Sequence, residues 1–167
     1  MRIDVQNGRK DLHVSNQTSF SLPRERGEQL RQLAFHHRKS LAGLISDWIE
    51  AGLAEAGLSA SLPDVKIEAG RDQVTLTTPE LIVSFATAKD AWDTGESIDR
   101  VAKRGGAWVH ADRRDGSMLS ITRVGAGVVI ELIDRAGAKS RRSFSRDVAC
   151  AVARQLREAA EQALPSR

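Results

Sequence analysis

The chain has 167 residues, of which 41% are hydrophobic and 28% charged, enough apolar side chains for a real core and too many for wholesale disorder. Its 25 basic and 22 acidic residues leave a net charge of +3, a mild excess that by itself names no partner. One cysteine, Cys150, excludes an internal disulfide, and no apolar run approaches the roughly 18 residues that cross a bilayer.

The first residues lack the apolar centre of a signal peptide, so the expectation is a cytoplasmic protein with no membrane partner. The basic residues comprise nineteen Arg and six Lys. That bias suits planar recognition of phosphate or guanine, and genome base composition explains it equally well. Charge is unevenly placed. Residues 1–40 carry eight basic and four acidic side chains, and residues 41–60 carry only Asp47, Glu50 and Glu55. One end of this stretch is therefore positive, as a polyanion's partner would be.

Residues 1–16 read as a flexible basic arm. Residues 17–58 read as strand, helix, helix. Gln17-Thr18-Ser19-Phe20-Ser21-Leu22 alternates polar and apolar side chains with the period of a half-buried strand. Pro23 opens a first helix with Leu30, Leu33, Ala34 and His37 on one face. Arg38-Lys39 interrupts, and Ser40 is the expected N-cap of a second helix carrying Leu41, Leu44, Ile45, Trp48, Ile49 and Leu53. About forty residues cannot bury so many apolar groups, so either the rest of the chain or a second copy must cover them.

This stretch resembles a ribbon-helix-helix DNA-binding domain of the Arc and methionine-repressor type. The likeness rests on the strand ending Leu22-Pro23, on Leu30, Leu33 and Ala34, on Ser40 opening the second helix, and on Leu44-Ile45 and Trp48-Ile49. It covers residues 17–55. Arg38 departs from the glycine common in the family's inter-helix turn and calls for a left-handed or altered conformation there.

The resemblance implies a homodimer whose paired strands enter the major groove of double-stranded DNA. Gln17, Ser19 and Ser21 would face the bases. Phe20 and Leu22 would form the dimer core with Leu30, Leu33, Ile45, Trp48 and Ile49. Phosphates would meet the second helix's N-terminus at Ser40, Leu41 and Ala42, with Lys39, Arg24, Arg2, Arg9 and Lys10 adding contacts that position without specifying. The competing structural reading makes residues 17–22 an edge strand of the C-terminal sheet with a solvated polar face.

Residues 59–64 read as a linker, and residues 65–167 as an α+β domain of unassigned role, so the whole chain is expected to be α+β. Strands are expected at 65–69, 73–78 and 81–86. Residues 87–106 hold one or two short helices, with Gly95 arguing against a continuous one. Four more strands follow at 107–113, 117–123, 128–134 and 139–145, with a tight turn at Asp115-Gly116. A helix from Arg146 to Ala163 closes the domain, capped by Ser145, with Val148, Val152, Leu156, Ala159 and Ala163 as its stripe.

Catalytic and metal motifs are lacking, and no enzyme activity, cofactor or metal site is expected. His36-His37 point about 100° apart on a helix and do not chelate. Cys150 reads as a structural thiol, and Asp112-Arg113-Arg114-Asp115 as a solvated hairpin end. Of the segment Lys139–Asp147, Arg141 and Arg142 should face opposite sides of a strand. The order of residues 107–163, four strands then a helix, is similar in architecture to the coactivator PC-four and Whirly proteins, which would imply a single-stranded nucleic-acid binder using this sheet. The leading reading is a dimeric transcriptional repressor. The alternatives are that single-strand binder, or an antitoxin or plasmid partition or conjugation accessory whose C-terminal domain takes a protein partner or small ligand.

Overall fold

The computed structural model describes residues 21–71, 73–110, 113 and 115–163. The protein is α+β, with four helices and two antiparallel sheets among these residues. It divides into two compact units, Met1–Leu41 and Ala42–Arg167.

In the first unit the described structure is α1, Arg24–His36, entered from Pro23 and burying Leu30 and Ala34. The expected strand at residues 17–22 lies outside the described residues save for Ser21 and Leu22, which are exposed and not in a strand. Helix α1 stops where the sequence interrupts. Lys39 N–H donates to the Ala34 carbonyl at 2.9 Å and Arg38 N–H to the Phe35 carbonyl at 3.0 Å. These two bonds form a Schellman motif, whose pivotal residue must take the left-handed conformation. Arg38 does so with φ 53°.

Helix α2, Leu41–Glu55, ends with the same two bonds, Leu58 N–H to Leu53 and Gly57 N–H to Ala54, but with glycine at the pivot, φ 65°. The same backbone device thus appears once with its favoured residue and once with an arginine that carries a Cβ penalty.

The second unit holds two halves of one pattern. Strands β1 (Lys66–Ala69), β2 (Val74–Thr77) and β3 (Ile82–Phe85) form a meander followed by α3 (Ala88–Arg104). Strands β4 (Ala107–His110), β5 (Met118–Val124), β6 (Gly127–Ile133) and β7 (Lys139–Ser145) form a second meander followed by α4 (Arg146–Ala163). Strand alternation places Val74, Leu76, Val83 and Phe85 inward from one sheet, and Leu119, Ile121, Val128, Ile130 and Phe144 from the other. Between them α3 contributes Ala91, Ile98 and Ala102, and α4 contributes Val152, Leu156 and Ala160.

Residues 88–104 form a single uninterrupted helix, which corrects the expectation that Gly95 would divide it. Gly95 is buried where α3 crosses α4. A Cβ there would lie 2.9 Å from the Ala153 carbonyl oxygen and 2.8 Å from Arg157 Cγ. The residue that weakens the helix alone is thus the one that lets two helices approach; packing outweighs a propensity cost of about 1 kcal/mol. Helix α3 is further fixed by Thr87, whose hydroxyl accepts from Asp90 N–H at 3.0 Å, and α4 by Ser145, which accepts from Val148 N–H at 3.4 Å.

Gly95→Ala should lower stability by about 1–3 kcal/mol despite its better helix propensity, because one of the two obstacles is backbone and cannot swing aside. A denaturant midpoint at fixed protein concentration reads this, and an unchanged or raised midpoint would contradict the tight crossing. Arg38→Gly should act oppositely and stabilise by about 0.5–1 kcal/mol, the relief of left-handed strain exceeding glycine's extra unfolded-state entropy.

Candidate nucleic-acid interface

The residues expected to meet DNA are placed unequally. Arg2, Arg9, Lys10, Gln17, Ser19 and Phe20 lie outside the described residues. Ser21, Arg24, Lys39, Ser40, Leu41 and Ala42 are all exposed. Ser40 directly precedes α2.

The expected dimer core is the more informative set. Leu30 is buried and Ile45 half-buried, whereas Leu22, Leu33, Trp48 and Ile49 are 46%, 42%, 48% and 57% exposed. Phe35 adds a side chain 87% exposed on α1, one that the sequence reading passed over because it falls off the apolar stripe. Helix α2 is tied within its unit to α4 by a bidentate pair, Arg154 Nη1 to Glu50 Oε2 at 2.8 Å and Nη2 to Oε1 at 3.1 Å. The Glu50 carboxylate holds the Arg154 guanidinium above its ordinary pKa. Gln155 Nε2 donates to the Ala60 carbonyl at 2.8 Å, fixing the segment after α2 to the same helix. That anchoring leaves Trp48 and Ile49 uncovered.

In the second unit Arg141 and Arg142 do face opposite sides of β7. Arg141 is exposed. Arg142 turns inward, meets both oxygens of Glu80 at 2.6 Å and lies 6.0 Å from the Phe144 ring centre. Phe144 is buried, and Trp108 is half-buried against the core, so neither offers a face to an unstacked base.

Asp115 behaves as the hairpin end that was expected, but Arg113 does not. Its side chain is only 7% exposed. It donates from Nη2 to the Ser84 carbonyl and from Nε to Ser117 Oγ at 2.8 Å, and lies 5.6 Å from the Phe85 ring centre. Burial and β-sheet partners decided its role, and the sequence pattern carries no sign of either. Ser117 in turn donates its hydroxyl, at 2.6 Å, and its N–H, at 2.9 Å, to Asp115 Oδ1.

A cavity of about 580 Å3 lies beside this cluster, bounded by His110, Asp90, Lys89 and Phe85 among others. Two of its charges are already engaged. Arg113 is held as described, and Lys89 pairs with Asp93 at 2.6 Å. Cys150 is half-buried, and burial, with Asp99 second, pushes its thiol pKa up, which keeps it in the unreactive protonated form. Among the described residues no cluster of His, Cys, Asp or Glu could hold a metal ion, and no helix is long and apolar enough to cross a membrane.

Comparison of the chain with protein-family models, curated proteins and solved structures finds no match.

The two Ser117 bonds are the chief reason that Asp115 titrates below the ordinary carboxylate range. A depressed folded pKa contributes stability that is present above the unfolded value and is lost as pH falls through the folded one. Ser117→Ala should therefore raise the Asp115 pKa towards its ordinary value. A carboxyl-carbon NMR titration measures the shift, and an unmoved pKa would show that Arg113 sets it instead.

Proposed function

We propose that the chain is a dimeric, sequence-specific binder of double-stranded DNA that uses residues 17–55 as a ribbon-helix-helix and acts as a transcriptional repressor by occupying its site. The observation that carries this reading is the exposure of Leu33, Trp48 and Ile49. The ribbon-helix-helix resemblance assigns these side chains to the dimer core, and a single copy leaves them exposed. Burying one large apolar side chain is worth about 1.5–3 kcal/mol, so a matching surface on a second copy is a strong reason to associate. The Schellman turn at Arg38 supports the same reading, since it supplies the inter-helix left-handed residue that the departure from glycine demanded.

In this reading the ribbon supplies bases with Gln17, Ser19 and Ser21. Lys39 and the N-terminal turn of α2 hold a phosphate. The second unit is a folded body of two sheets and three helices, α2 among them, which suits a partner-binding or assembling role better than a short toxin-binding tail would. The single-strand reading draws less support, because the aromatic groups of the second sheet face the core.

Duplex binding should weaken steeply with salt, as release of counterions requires. Gln17→Ala with Ser19→Ala should abolish discrimination between specific and random duplex while leaving the oligomer's mass unchanged. Trp48→Glu should lower that mass and weaken duplex binding at least ten-fold. Fluorescence anisotropy across a salt series and sedimentation equilibrium read both. A duplex affinity indifferent to salt, or a Trp48→Glu oligomer of unchanged mass, would remove the reading.

A further inference from the structure

The two halves of the second unit correspond strand by strand when counted back from their helices. Strand β3 answers to β7, β2 to β6 and β1 to β5. The register agrees, with Val74 opposite Phe85 in one half and Val128 opposite Phe144 in the other. Ile67 opposite Leu76 then answers to Ile121 opposite Ile130. Each helix also serves the other half: α3 lies against β4, β5 and β6, and α4 against β1 and β2. Among the described residues the first half has no counterpart of β4.

No described strand occupies the place that β4's counterpart would fill. In the second half β4 runs beside β5 and under α3, with Trp108 opposite Ile121. The equivalent place beside β1 and under α4 is a cleft of about 350 Å3, bounded by Val65, by Lys66 and Ile67 of the β1 edge, by Gln155 and Ala159 of α4, and by Ser59–Ser61, whose Ala60 carbonyl accepts from Gln155 Nε2. The backbone is set to receive a strand there. Gly70 N–H bonds the Gln73 carbonyl at 2.8 Å, which fixes the alternation of the β1–β2 ladder and turns the N–H and C=O of Ile67 away from β2. No described group pairs with them.

We infer that this edge is an interface for a second copy of the same chain, the two β1 strands pairing antiparallel about Ile67. The outward side chains select that occupant. Lys66 and Glu68 flank Ile67 and pair with each other at 2.8 Å while remaining 68% and 56% exposed. With Ile67 opposite Ile67 of the second copy, each Lys66 faces a Glu68, and each Glu68 a Lys66. Opposite charges directly across a strand pair stabilise it. A strand without the same alternation would add no opposite charge across the ladder, so the pattern both protects the edge and favours its own copy. Ile67 of the second copy takes the place that Trp108 holds in the complete half.

This interface is distinct from the apolar faces of α1 and α2 on which the dimer proposed above rests, so the test must read β1 alone. Two full-length proteins are made in a Cys150→Ala background, one with Lys66→Cys and one with Glu68→Cys. In the inferred register position 66 faces position 68 of the other copy at a Cα separation of about 4.5 Å, within disulfide reach. Two copies of position 66 lie roughly 8 Å apart, from the strand spacing and rise, and are out of reach. The mixture also keeps one Lys66–Glu68 pair.

Mild oxidation should therefore cross-link the equimolar mixture at least ten times faster than either protein alone, read on non-reducing gels. The same preference should persist with Trp48→Glu added, which separates the two interfaces. A mixture that cross-links no faster than its components overturns the inference, as does efficient cross-linking of Lys66→Cys alone. If the β1 cross-link forms while Trp48→Glu leaves DNA binding and mass unaltered, only the ribbon-helix-helix reading falls.

Discussion

The second unit depends on one close approach. Helices α3 and α4 cross at Gly95, where a side chain as small as a methyl group would meet backbone. Everything else in the unit is arranged around that contact, because each helix also lies against strands of the other half. If the helices stood further apart, neither sheet could bring its apolar face onto both of them, and the core residues Ile98, Val152 and Leu156 would lose partners on two sides. The Arg157–Glu96 ion pair closes over the same crossing at its solvent side.

Beyond the core, arginines join parts of the chain that are remote in sequence. Arg142 holds Glu80, Arg113 holds the Ser84 carbonyl, and Arg154 holds Glu50. Two of these also lie over phenylalanine rings in corresponding positions of the two halves, Arg113 at Phe85 and Arg142 at Phe144. A planar guanidinium can stack on a ring and still donate sideways, which a lysine ammonium cannot. Part of the arginine excess in the composition therefore serves the second unit's own architecture. Less of it remains to be explained by nucleic acid than a count suggests, and the candidate DNA contacts rest on position in the N-terminal stretch.

How far the sequence could be read follows from how local each determinant is. The seven strands of residues 65–145 and the closing helix from Arg146 to Ala163 were legible, because alternation, glycine turns and the 3.6-residue stripe are properties of neighbouring residues. Helix α3 was obscured at Gly95 because the reason for that glycine is Ala153, nearly sixty positions away. Arg113 was obscured for the same cause: a charged residue in a turn reads as solvated until the strand beside it is known. The correspondence of the two halves lies in topology and register, and no repeat of fixed period announces it. Of the candidate site, the apolar positions of α1 and α2 were legible, but which of them the single copy leaves exposed was not, since Leu30 and Leu33 belong to one stripe and differ only in what reaches them.

Two surfaces of this chain are left incomplete, and they differ in kind. The apolar faces of α1 and α2 gain from any matching apolar cover, since burial is non-directional, and such faces set strength more than identity. The β1 edge is directional. It accepts only an extended backbone in one of two orientations, and its Lys66–Glu68 pattern narrows these to one register. Apolar faces alone would give association without a specified register; the β1 edge alone would gain little energy from four residues of ladder. On the two proposals together, the helices would supply affinity and the strand edge would supply register. Such a division would let a chain with an ordinary core leave both surfaces open without either being a defect of folding.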